Sequence, residues 1–131
     1  MPRCRIDLTG ATFRHDVEAA KARHPSVVDD LSATFSVLEE HFDSGAWIPG
    51  VGAHVRKIRV GVKRSRISKR DGYRLIYHID LENHVITPLF FHYKPGIALI
   101  PPKEIIKAMK EMVERQAQTA AMQGPSAGQS N

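Results

Sequence analysis

In Val55-Arg56-Lys57-Ile58-Arg59-Val60-Gly61-Val62, the apolar residues Ile58, Val60 and Val62 fall at every second position, with Lys57 and Arg59 between them. Successive side chains of a strand point to opposite faces, so this alternation predicts a strand with one apolar and one cationic face. The cations belong to a denser cluster. Positions 54–74 carry nine basic residues (Arg56, Lys57, Arg59, Lys63, Arg64, Arg66, Lys69, Arg70 and Arg74) against one acid, Asp71. The segment is therefore net +8 in a chain of net +5, and everything outside it sums to −3. A field this localised steers polyanions to one place. A disordered basic tail has no use for the alternation, which reads as cations mounted on a sheet.

Working outward, two more strands follow, over 73–81 and 85–93, joined by a tight turn at Glu82-Asn83-His84. A long polar connection, 63–72, precedes them and reads as a solvated, mobile link. Pro88 inside the last strand predicts an edge or bulge position. Upstream, a short opening strand at Arg5-Ile6-Asp7-Leu8 leads to Thr12, a cap for a helix that Pro25 ends. Ser26 caps a second helix, in which Val28, Leu31, Phe35, Leu38 and Phe42 recur at three- and four-residue steps. Gly45 closes it. Positions 46–53 read as a loop, with Trp47 anchoring it against the core. Downstream, Pro101-Pro102 opens a final helix whose stripe is Ile105, Ile106, Met109, Met112 and Val113. That stripe suits packing on the sheet or docking of a partner equally well. The order is strand, two-helix hairpin, three-stranded antiparallel meander, C-terminal helix: an α+β domain over 1–118, with a small, polar, disordered tail over 119–131.

Length and composition bound the class. The 131 residues suit one domain, and 42% apolar with 25% charged residues is ordinary for a globular protein. The lone Cys4 excludes an internal disulfide framework and favours a reducing compartment. The N-terminal residues lack an apolar signal core, and no apolar run reaches membrane-spanning length. A cytoplasmic protein without a membrane partner is the expectation.

The seven histidines show no metal-ligand spacing, and no phosphate-loop or dinucleotide glycine pattern is present, so no cofactor is expected. Cys4, near a terminus, has no obvious base. Chemistry must then come from Arg, Lys, His and Tyr. Lys57 and Arg59 share a strand face; Arg74 and His78 share one on the next strand, and His92 and Lys94 on the last. Cofacial residues on neighbouring strands come within side-chain reach. Such a set suits metal-free RNA cleavage, in which the ribose 2′-hydroxyl attacks its own phosphate. Cations stabilise the phosphorane, a base takes the 2′ proton and an acid protonates the 5′-oxygen. Histidine titrates in the right range, which singles out His92. Tyr73 and Tyr77 alternate with Leu75 and Ile79 and read as core, and His15, His24, His41, His78 and His84 as residues without a role. The connection's Lys63, Arg64, Arg66, Lys69 and Arg70, with Arg56, are the candidate RNA-contacting set.

Arg56-Lys57-Ile58-Arg59-Val60, Gly72-Tyr73-Arg74-Leu75-Ile76-Tyr77 and Phe91-His92-Tyr93-Lys94, in that order, resemble the RelE/ParE superfamily of bacterial type II toxins. The likeness spans positions 11–113, and Gly45 before the first meander strand fits it. It implies the RelE-like, microbial-ribonuclease type of fold and a toxin that cuts messenger RNA in the ribosomal decoding site. It also implies a cognate antitoxin that wraps the toxin with an otherwise disordered segment. Carried across, Lys57 and Arg59 match the basic pair of the first meander strand and Arg74 the arginine that holds the scissile phosphate. Lys94 and His92 fall where the family places further catalytic side chains. Pro95 stands where some relatives have another basic residue, and no tyrosine follows Tyr93, so the general base and acid stay open. Two alternatives stand beside the ribonuclease: a ParE-like gyrase poison, which needs no cationic sheet face, and a nucleic-acid-binding module without turnover.

Overall fold

β3 (Val55–Val60), β4 (Tyr73–Asp80) and β5 (Val85–Tyr93) form the antiparallel meander, and the computed structural model that contains them describes residues 3–94 and 100–129. β1 (Arg5–Ile6) joins β5 in parallel, and β2 (Ala46–Trp47) joins β3 antiparallel. The result is a five-stranded mixed sheet in the order β1-β5-β4-β3-β2, accompanied among the described residues by α1 (Ala11–Arg23), α2 (Val27–Glu40) and α3 (Pro102–Gln129). The chain is α+β, as its element order predicts, with one strand more than the sequence suggests.

Alternation along β3 and β4 divides the core in two. On one face Ile58, Val60, Tyr73, Leu75, Tyr77, Ile79 and Phe91 pack with Phe13 and Ala20 of α1 and Val27, Leu31 and Leu38 of α2. On the other, Val55, Ile76 and Leu89 pack under Ile105, Met109 and Met112 of α3. A fully buried Val, Leu, Ile or Phe among them contributes about 1.5–3 kcal/mol relative to exposure. α3 thus uses its stripe on the sheet, although Val113 at its margin is exposed. The helix passes position 118, where composition places the domain's end; residues 130–131 of the expected tail lie outside the described residues.

Three expectations need correction. Val27, not Val28, leads the buried stripe of α2, because the helix presents Val27, Leu31 and Leu38 inward and leaves Val28 exposed. Trp47 does not anchor its loop: it sits on edge strand β2 at 62% exposure, opposite Arg56. Val51 does the anchoring, buried against the α3 side of the sheet. The 63–72 connection is a built loop and not a bare tether. It makes a 3₁₀ turn at Lys63–Ser65, then a left-handed Arg66 (φ 56°), and closes through reciprocal backbone hydrogen bonds between Val62 and Ile67.

Pro88 marks a bulge, as its place in a strand predicts. Tyr77 pairs with Pro88 while Ile76 pairs with Phe90, leaving Leu89 as the extra residue. β1 covers only the Val85–Ile86 end of β5. Beyond it α1 lies along the strand, and Asp16 accepts the Phe91 N–H at 3.0 Å.

Candidate nucleic-acid interface

The register builds the site. Arg59 of β3 stands opposite Arg74 of β4, and Arg74 opposite His92 of β5. The three side chains therefore form one row across one face, with neighbouring Cβ atoms about 4.5–5.5 Å apart. Lys57 lies in the next row on the same face, level with Ile76 and Phe90. α3 covers that face farther along, over Val55, Ile76 and Leu89, so apolar helix and cationic row divide it between them. Two arginines directly opposite one another repel, an arrangement that an anion between them relieves.

The members differ in freedom. Arg59 and Lys94 are exposed and Lys57 is half-buried, and among the described residues none of the three has an acidic partner. Arg74 is tied down: Nη1 donates to the carbonyls of Lys69 and Tyr73, and Nη2 to that of Arg70 at 2.7 Å. Burial, reinforced by the Arg59 charge, lowers its pKa from the usual arginine value. It remains a cation in the row and also clamps the loop.

Gly72 belongs to the same construction. A Cβ there would run into the Val60 carbonyl oxygen, and one at Gly61 would meet that of Ile67. Both glycines let the loop ends close beside β3.

His92 lies at the edge of the row. Its Nε2 is 3.1 Å from Asp16 Oδ2, the oxygen that also accepts the Phe91 N–H, and Asp16 is only 12% exposed. Its Nδ1 is buried and has no hydrogen-bond partner among the described residues. The Phe90 ring meets the imidazole edge-on at 5.8 Å. A half-open cleft of about 160 Å³ runs beside it, lined by Asp16, Arg23, His92 and Tyr93 among others.

The rest of the candidate set is dispersed. Arg56 faces the other way, donating to the carbonyls of Asp43 and Gly45 and through Nε to His54. It is a brace for the turn before β2. Lys63, Arg64, Arg66, Lys69 and Arg70 are exposed on the loop, Arg70 beside Asp71 at 3.6 Å. Both tyrosines read as core are core. Tyr77 is fully buried, donating to the Phe42 carbonyl and accepting the Gly45 N–H. Tyr73 stacks on Phe91 and bonds His24 Nδ1 at 2.9 Å, so His24 has a structural partner.

Burial raises the Cys4 thiol pKa, which works against thiolate chemistry. Among the described residues no group of three His, Cys, Asp or Glu side chains could hold a metal ion, and no helix is long and apolar enough to cross a membrane.

The sequence matches no protein-family model and no curated protein. The residues alone must carry the functional argument. Asp16 is the one that sequence reasoning missed: nothing in His15-Asp16-Val17 marks it, because its role arises only when α1 lies along β5.

Proposed function

We propose that this chain is a type II toxin of the RelE/ParE superfamily, with the RelE-like arrangement of that fold, acting as a ribosome-dependent, metal-independent endoribonuclease on messenger RNA. The observation that carries the reading is the single cross-strand row Arg59–Arg74–His92 with Lys57 on the same face, left uncovered by α3. Its chemistry fits in-line attack of a 2′-hydroxyl on the adjacent phosphate. The 2′-oxygen–phosphorus bond forms, the bond to the 5′-oxygen breaks, and a cyclic phosphate and a 5′-hydroxyl result. Arg59 and Lys57 bind the non-bridging oxygens, Arg74 adds field from a fixed position, and His92 handles a proton. Lys94, exposed where β5 ends, extends the cationic track.

Antitoxin neutralisation follows from the same charge: an acidic segment laid across this face occupies the cations that RNA needs. In a bacterial translation reaction with a defined messenger, Arg59→Ala and Lys57→Ala should each abolish cleavage while leaving the fold intact, since among the described residues neither side chain makes a hydrogen bond or an ion pair. Full cleavage by both variants would remove the proposal.

One observation favours a second reading, RNA binding without turnover. Arg74 spends hydrogen-bond donors on its own loop, as a structural arginine does. Salt-sensitive binding of RNA with no new ends during translation would select it.

A further inference from the structure

We infer that Asp16 is a positioning residue: it holds His92 as the Nε2–H tautomer and leaves Nδ1 as the ring's proton acceptor for the 2′-hydroxyl. The inference rests on the ribonuclease reading and deepens it by supplying the general base which the sequence leaves open.

Asp16 Oδ2 lies 3.1 Å from Nε2, and because a carboxylate only accepts, it favours a hydrogen on that nitrogen. Neutral His92 then has its lone pair on Nδ1. Asp16 is itself held, because the same oxygen accepts the Phe91 N–H at 3.0 Å and the side chain is 12% exposed. The carboxylate is fixed to the strand that carries the histidine it orients. Phe90, edge-on at 5.8 Å, limits the ring from within its own strand. A buried nitrogen without a partner among the described residues calls for an explanation, and a base awaiting its substrate supplies one. His92 lines a cleft with Asp16, Arg23 and Tyr93, and its side chain is 28% exposed. Arg74, opposite His92 in the register, puts a fixed positive charge next to that base.

In the step, Nδ1 takes the 2′-hydroxyl proton as the 2′-oxygen–phosphorus bond forms. The bond to the 5′-oxygen breaks, and that oxygen takes a proton from solvent water. The imidazolium so formed keeps its Nε2–H on the Asp16 carboxylate, which stabilises the new charge as a buried carboxylate does beside a catalytic histidine.

The test uses the full chain. Nitrogen-15 NMR of His92 should show the Nε2–H tautomer in the wild type; a dominant Nδ1–H tautomer overturns the inference whatever the activity. Asp16→Asn keeps an acceptor oxygen for Phe91 and so guards the fold. It should lower the cleavage rate about 10- to 100-fold, less than the roughly 10²- to 10⁴-fold that an acid–base group itself supplies, with binding of the RNA unchanged. In a His92→Gln background, Asp16→Asn should bring no further loss, which separates positioning from general damage. Wild-type cleavage undiminished in folded Asp16→Asn, or equal losses in both backgrounds, overturns the role of Asp16 and leaves the ribonuclease reading standing. A wild type that cleaves nothing defeats that reading and this one together.

Discussion

Arg74 shows how one side chain can combine two duties. Its guanidinium lies in the row with Arg59 and His92, yet it donates to the carbonyls of Lys69, Arg70 and Tyr73. Arg74→Ala should therefore lower the melting temperature as well as activity, whereas exposed Arg59→Ala should change activity alone; paired thermal melts and cleavage assays distinguish the two. Gly72→Ala should destabilise by about 1–3 kcal/mol, the usual range for overpacking, because the new methyl meets the Val60 carbonyl. Denaturant midpoints measure it. Tyr77→Phe should cost about 1–3 kcal/mol, since its hydroxyl serves two backbone groups, Phe42 O and Gly45 N–H, that would be left unpaired. At this scale the sequence reveals chemistry in part. Lys57 and Arg59 declare themselves by alternation, and Gly72-Tyr73-Arg74 by its resemblance. Arg56 misleads, because residue type cannot tell a phosphate ligand from a brace on two carbonyls.

Elements were more legible than their edges. Alternation predicts β3, β4 and β5 because burial on a pleated face imposes a period of two. β2 is only Ala46–Trp47, too short for any period to show, and its pairing is set by β3 beside it. The loop between β3 and β4 looks like a tether because its order comes from Arg74 and from the Val62–Ile67 pairing, neither of which is a local propensity. The meander also carries a pH response. Burial lowers the pKa of His78, which His54 reinforces and Asp80 opposes. His54 is lowered too, by burial and then by the Arg56 charge, with Asp43 opposing. A histidine depressed in the fold binds protons more readily once unfolded. The stability it contributes is complete above the unfolded value of about 6.5 and is lost as pH falls below it. Melting temperature should accordingly fall from pH 7.5 to pH 5.5, and His78→Gln should flatten that slope; an unchanged slope contradicts this account of the histidine pair.

For the whole molecule, the division of labour on one sheet face matters most. α3 seals the apolar part and leaves the cations open, so the charge concentrated at 54–74 becomes a surface. Single-stranded RNA affinity should then fall with salt at a slope of about −0.7 per phosphate engaged, and Arg59→Ala should reduce that slope by about 0.7. Replacing Arg64 and Arg66 together asks the same of the loop. Sequence could foresee the charge and the sheet but not that Lys57, Arg59, Arg74 and His92 share a face. That depends on strand register, which long-range pairing settles.

Primer extension on a defined messenger in a bacterial cell-free translation reaction tests the central claim most directly, comparing the wild type with Arg59→Ala. The cationic row predicts new 5′ ends that arise only while the messenger is translated and that vanish with Arg59→Ala. An intact messenger in the presence of the folded wild-type protein would contradict it.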